Sequence, residues 1–174
     1  VILFISGMCM GAGILMSSYY GAKRYNRLER QISTAMIGGL IFSAVIAILL
    51  ILFAHPILEL LQVPADIIDS AKGYLRIIFL GLIFTFVYNF FSNTLRALGD
   101  SKVPLYFLII SACLNVAGDL FFVVVLNWGV PGSALATVLS EMLCCLCCLI
   151  YIKRKVHLLC LGNKWKIFDP SLLL

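Results

Sequence analysis

Two acidic side chains lie inside apolar stretches of this chain, and each has an oxygen-bearing neighbour four residues before it. Asp119 follows Asn115, and Glu141 follows Thr137. Residues four apart lie on the same face of a helix, one turn from each other. Hard cations prefer oxygen ligands, and a carboxylate removed from water is also a plausible proton carrier. These pairs therefore predict a site for a small cation or a proton, provided that the chain brings them together.

The composition indicates what surrounds these side chains. Of the 174 residues, 63% are hydrophobic and 12% are charged, and the mean hydropathy is +1.09. A soluble domain carries about 25% charged residues, and a helix that crosses a bilayer needs about 20 mostly apolar residues. The sequence therefore predicts an all-α, polytopic transmembrane helix bundle with about five spans. They are placed at about residues 1–17, 32–54, 71–95, 103–126 and 132–152.

Position along the spans predicts that the two pairs meet. Asp119 lies about 12 Å before Asn127 at the outer end of span four, and Thr137 lies about 10 Å from the same side on span five. Asn115 and Glu141 would each lie one turn deeper, so four oxygen-bearing side chains could converge between two antiparallel helices. An acid at membrane depth usually faces a cavity or a partner, which favours a functional role. The alternative is a carboxyl that is hydrogen-bonded to Asn115 and Thr137 only to hold the helices together.

The basic residues indicate the orientation of the chain. Three alternate loops, at residues 23–30, 96–102 and 153–166, carry four, two and five of them, eleven of the thirteen in the chain. The positive-inside rule places these loops in the cytoplasm. The net charge of +5 is thus a topology signal, and we expect no nucleic-acid partner.

Other residues suggest no separate chemistry. The four cysteines between residues 144 and 148 lie in one span, where a single straight helix cannot wrap them around a metal ion. Gly7 and Gly11 form a GxxxG pair that would let another helix approach closely. No HExxH, paired acidic zinc motif or Ser–Lys arrangement occurs in the spans, so we do not expect an enzyme or a cofactor.

Several blocks of sequence are similar to one family of transporters. The most specific are LRALGDSKVPL at residues 95–105 and GVPGSALATVLS at 129–140, with LN…D between them. The chain thereby resembles the multidrug and toxic compound extrusion (MATE) family, in its bacterial NorM/DinF-like branch. The resemblance implies that residues 1–155 form helices two to six of a twelve-helix fold, within its N-terminal lobe. Residues 156–174 would be a cytoplasmic linker towards a C-terminal lobe outside this chain.

The resemblance also implies a function and a set of residues. Family members are secondary antiporters of the inner (plasma) membrane that export organic, often cationic compounds in exchange for sodium ions or protons. Asn115, Asp119 and Thr137 match positions of the coupling site, and Tyr74 falls near that network. No metal is implied beyond a sodium ion at Asp119. Glu141 stands where the family usually has glutamine, so it could change the ion preference.

A substrate cavity and one alternative function complete the expectations. The polar and aromatic residues Tyr88, Asn89 and Asn93 on span three could line a cavity for a flat organic cation. The expected partners are a small organic cation, membrane lipid and the remaining helices of the transporter. The alternative is a flippase of lipid-linked oligosaccharides or peptidoglycan precursors from the same superfamily, which should carry several Lys or Arg residues at membrane depth.

Overall fold

Helices make up nearly all of the computed structural model, which describes residues 1–64 and 67–155. The predicted linker at 156–174 lies outside the described residues. In chain order the helices are α1 (Ile2–Gly21), α2 (Tyr25–Leu52), α3 (Ala54–Leu60), α4 (Ile68–Ala97), α5 (Lys102–Asp119) and α6 (Gly129–Lys155). A π-helical segment, Leu120–Val125, continues α5 towards the turn that precedes α6.

Five of these helices are long and apolar enough to cross a membrane, which confirms the predicted number of spans. They extend beyond the apolar runs of the sequence. For example, α2 begins at Tyr25, seven residues before the apolar stretch that starts at 32. These seven residues, about two turns, include Arg and Glu, which are good helix formers and can project into the aqueous interface. The length of an apolar stretch therefore predicts where a span lies, but it underestimates the length of the helix.

The longest helix, α4, lies at the centre of the bundle and packs against α1, α2 and α6. It buries a row of aromatic rings that includes Phe86, Phe90 and Phe91. Gly39 of α2 allows the closest approach, because a Cβ atom there would overlap the ring of Phe86. The aromatic residues of this span thus form the core between helices.

The predicted GxxxG pair does not mediate helix packing in the described part of the chain. A Cβ atom at Gly7 or Gly11 would find nothing within 4 Å, whereas one at Gly13 would lie 3.5 Å from Cβ of Asn93 on α4. The pair lies on an exposed face of α1.

The turn between α4 and α5 is fixed by local residues. Gly99 has φ +92°, a conformation that costs glycine little. The N–H of Asp100 donates to the carbonyl of Leu95 and that of Gly99 to Arg96, which is the Schellman arrangement of a helix end. The carboxylate of Asp100 then accepts a 3.2 Å hydrogen bond from the N–H of Val103 at the start of α5. The short turn holds α4 and α5 antiparallel.

Candidate functional site

Asn115 and Thr137 contact each other directly across the α5–α6 interface. Nδ2 of Asn115 donates a hydrogen bond of 3.0 Å to Oγ1 of Thr137. The Thr137 hydroxyl in turn donates to the carbonyl of Ser133 at 3.1 Å. Since a hydroxyl carries a single hydrogen, Thr137 has none left to offer another group. Its oxygen and Oδ1 of Asn115 present acceptor lone pairs.

Asp119 lies one turn from Asn115, at the last α-helical position of α5. Its Oδ1 atom is buried and has no hydrogen-bond partner within residues 1–64 and 67–155. Such an atom is rare in folded proteins, because an unsatisfied buried acceptor costs about 1–3 kcal/mol and more when charged. The hydrogen bonds to Asn115 and Thr137 that the alternative role of Asp119 requires are absent among the described residues.

The backbone around Asp119 is unusual in two ways. Gly118 packs closely on α6, since a Cβ atom there would lie 3.0 Å from Cβ of Ala136. The segment that follows Asp119 is π-helical, and the N–H of Leu126 donates to the carbonyl of Phe121, five residues earlier. π-Helical turns are uncommon and frequently occur at functional sites. Hydropathy gives no signal for this segment, because α and π turns accept the same apolar residues.

Glu141 has its partner on a different helix from the one that the sequence suggests. Its carboxyl group forms a hydrogen bond with the hydroxyl of Thr85 on α4. The Thr85 oxygen also lies 3.2 Å from the carbonyl of Gly81, to which it can donate. The structure therefore joins Asn115 to Thr137 at the α5–α6 interface and Glu141 to Thr85 at the α4–α6 interface.

The hydrogens at Thr85 can be counted. Its hydroxyl has one hydrogen and faces two acceptors, the Gly81 carbonyl and the Glu141 carboxyl group. Both contacts can be full two-centre hydrogen bonds at once only if a protonated Glu141 donates to Thr85 while Thr85 donates to Gly81. If Glu141 were ionised, the Thr85 hydroxyl would donate its hydrogen bond to Glu141. The hydrogen bond from Thr85 to the carbonyl of Gly81 would then not form.

Sequence reasoning missed Thr85 as a site residue. It is a buried polar residue in the middle of the aromatic α4 helix, which is the type of position that requires a partner in a membrane. Its partner could not be identified from the sequence, because the pairing depends on which face of α6 turns towards α4.

The three residues predicted to line a substrate cavity do not share one surface. Nδ2 of Asn89 donates to the carbonyl of Thr85 at 2.8 Å, and Nδ2 of Asn93 donates to the carbonyl of Asn89 at 2.9 Å. Oδ1 of Asn89 lies 3.5 Å from the Ser6 hydroxyl, so this amide faces α1. Tyr88 instead lies near Cys144 and Cys148 on α6, and near Ser92 and Arg96 on its own helix.

Tyr74 lies near the start of α4 and is half-buried. Within the described residues it makes no hydrogen bond to Asp119, Asn115 or Thr137. Groups of three or more His, Cys, Asp or Glu side chains that could hold a metal ion are also absent from this part of the chain.

Comparison with known proteins gives one consistent result. The MatE family model matches residues 1–121. The chain is 34% identical over 163 residues to the probable multidrug resistance protein YoeA of Bacillus subtilis, covering 90% of this chain and 35% of that protein. It is 44% identical over 101 residues to the probable multidrug resistance protein YpnP of the same organism, covering 58% of this chain and 23% of YpnP.

The fold is also that of a solved transporter. A multidrug resistance MATE family transporter of the MOP superfamily, in its inward-facing conformation, superposes with a TM-score of 0.92 at 20% identity. The match covers 99% of this chain and 39% of that transporter. The matched part of the chain thus spans about a third of the length of YoeA and about a quarter of that of YpnP.

Proposed function

The chain belongs to the MatE family, and on that premise we propose that it forms part of a secondary transporter that exports small organic compounds in exchange for sodium ions or protons. The observation that carries the proposal is the buried, unpartnered Oδ1 atom of Asp119, one turn from the Asn115–Thr137 pair. Membrane spans rarely carry such a group unless it meets an ion, a proton or a polar cavity.

The coupling species would bind at Asp119 because of the groups around it. Thr137 has already used its hydrogen on Ser133, so its oxygen, like Oδ1 of Asn115, can only accept. A cluster of oxygen acceptors next to a carboxylate attracts a proton or a small hard cation and repels anions. Binding would neutralise the carboxylate and supply the partner that Oδ1 lacks.

Neutralisation at Asp119 would favour one conformation of the transporter. Binding shifts a conformational equilibrium only by its difference in affinity for the two states. The state described here leaves Oδ1 without a protein donor, so a bound ion or proton should stabilise it relative to a state in which water reaches the carboxylate. The close contact of Gly118 with Ala136 and the π-helical segment lie directly beside this group.

Glu141 would act as a second protonatable carboxyl group. The hydrogen count at Thr85 favours a neutral Glu141 in this conformation. Within residues 1–64 and 67–155, Glu141 forms no salt bridge, and the ion pair found there joins His55 to Glu59. A carboxyl group without a cationic partner in an apolar setting favours the protonated form.

The substrate and the orientation follow from the same proposal. An organic cation would be the substrate, with ring contacts from the aromatic α4 helix and polar contacts from Tyr88, Asn89 or Asn93. Tyr74 would belong to the coupling network. The basic loops would face the cytoplasm of a bacterial cell, with the chain in the inner membrane. The flippase alternative is not favoured, because Lys and Arg in the described spans lie towards the helix ends.

Dye transport into everted membrane vesicles, which corresponds to export from the cell, tests the proposal. We expect Asp119→Asn in the complete protein to abolish dye export driven by a sodium or proton gradient. The matched control is Asp69→Asn, an exposed acid at the start of α4 that should leave export unchanged. Equal ion-driven export by Asp119→Asn and the wild type, at equal protein levels, would show that Asp119 is not the coupling group.

A further inference from the structure

A cavity lies between α1, α2 and α4, and no residue of α5 or α6 lines it. Its volume is about 360 Å³, within the range of small-molecule sites in proteins. The walls are mostly apolar and include Ala12 of α1 and the rings of Phe86 and Phe90 on α4. None of the side chains that line it carries a formal charge. The cavity is far larger than a single water molecule requires.

One polar group faces this cavity. Gln31 of α2 is only 3% exposed and lines the cavity, and its Oε1 atom has no hydrogen-bond partner within the described residues. A buried amide oxygen without a donor is costly, so a group that supplies an N–H or O–H there would be stabilised. The apolar walls offer such a donor no competing acceptor.

The cavity is elongated and has its polar group towards one end. Along α2 its lining runs from Gln31 to Phe42, eleven residues or about 16 Å. Gln31 lies about 9 Å from the first residue of α2, Tyr25, and therefore near the membrane surface on the side of the α1–α2 turn. The remainder extends towards the middle of the membrane among aliphatic and aromatic side chains.

We propose that this cavity binds an uncharged amphiphile from the membrane, whose hydroxyl group donates to Oε1 of Gln31. Its hydrocarbon part lies along α2 towards Phe42, between Ala12 and the rings of Phe86 and Phe90. A charged head group is disfavoured, because no lining side chain offers a counter-charge. The site is separate from Asp119, which lies at the α5–α6 interface, and it does not depend on ion coupling.

Photolabelling of the complete protein in lipid nanodiscs tests this site. The probe is a long-chain primary alcohol that carries a diazirine in its chain, and its methyl ether, which cannot donate a hydrogen bond, is the control probe. We expect the alcohol to label peptides of α1, α2 and α4 that line the cavity. Labelling by the ether should be about threefold to tenfold weaker, as expected for the loss of one hydrogen bond.

Two variants test the hydrogen bond to Gln31 and the volume of the cavity separately. Gln31→Leu keeps a similar volume and should reduce labelling by the alcohol to the level of the ether. Ala35→Phe, on the cavity wall, should remove labelling by both probes, whereas Ala112→Phe on the exposed face of α5 should leave it unchanged. Thermal unfolding of each variant establishes that it is folded.

Two results would overturn the proposal. One is equal labelling by the alcohol and the ether in the wild type, which would mean that Gln31 anchors no donor. The other is labelling that survives Ala35→Phe in a folded protein, which would place the probe outside the cavity. Loss of ion-driven export in Asp119→Asn would change neither result, so the two proposals fail independently.

Discussion

The side-chain amide of Asn115 donates a 3.0 Å hydrogen bond to the hydroxyl oxygen of Thr137, twenty-two residues later and on the facing helix. This bond crosses the interface between α5 and α6 one turn from Asp119, whose Oδ1 atom has no partner within residues 1–64 and 67–155. Asn115 and Thr137 thus form a hydrogen bond with each other, while the described chain supplies no hydrogen-bond donor to Oδ1 of the acid beside them.

The first prediction concerns the stability of this contact. We expect Thr137→Val to lower the free energy of unfolding by about 1 kcal/mol, because hydrogen bonds between membrane helices contribute about 0.6–2 kcal/mol. Asn115→Leu should cost a similar amount. The double variant should cost less than the sum of the two, with a coupling of about 0.5–1.5 kcal/mol.

Unfolding in mixed detergent micelles measures these changes. Cys113→Ala, at an exposed position on the same helix as Asn115, is the control and should have little effect. Strict additivity of the two substitutions would show that the bond contributes nothing to the association of α5 with α6.

The second prediction concerns the protonation of Glu141. If Glu141 donates to Thr85, infrared spectra of the wild type should contain a carbonyl band of a protonated carboxylic acid near neutral pH. Glu141→Gln should remove that band. Thr85→Val should shift it to higher frequency, because the carboxylic acid then loses its hydrogen-bond partner on α4.

Glu59→Gln serves as the comparison, since Glu59 is exposed and pairs with His55 at 3.3 Å. Its replacement should leave the band unchanged. A wild-type spectrum from which Glu141→Gln removes only carboxylate absorption would mean that Glu141 is ionised and that Thr85 donates to it. In that case a role as a neutral carboxyl group in this conformation is excluded.

The third prediction concerns the contact of α2 with α4. We expect Gly39→Ala to lower the free energy of unfolding by about 1–3 kcal/mol, because its Cβ atom would overlap the ring of Phe86 in a packed interior. Replacing Phe86 with leucine in the same protein should restore part of the loss.

Gly11→Ala is the matched control, since a Cβ atom there meets nothing within 4 Å. It should be neutral, or stabilising by up to about 1 kcal/mol through helix propensity. If Gly39→Ala were as harmless as Gly11→Ala, the two helices would not approach as closely as the structure shows.

Much of the fold could be predicted from local sequence. Gly99 and Asp100 indicate the α4–α5 turn because only a few residue types suit a left-handed position and a helix start. The GxxxG pair at Gly7 and Gly11 was misleading, because small residues permit close packing but do not specify a neighbour. Gly39, which does lie against a ring, belongs to a series of small residues four apart that includes Ala35, Ser43 and Ala47, a pattern of the same kind.

The sequence by itself determined the five spans, since bilayer thickness imposes a minimum apolar length that composition reveals directly. It also predicted that Asp119 and Thr137 lie at similar depth on consecutive antiparallel helices, with Asn115 one turn deeper. Only the tertiary structure decided that Glu141 pairs with Thr85 on α4 and that Gln31 lines the cavity between α1, α2 and α4. Four residues advance a helix by a full turn and about 40°, and this rotation turns Glu141 towards α4 while Thr137 faces α5. Which neighbouring helix a side chain contacts depends on how three helices pack together, and no single segment of the chain encodes that packing.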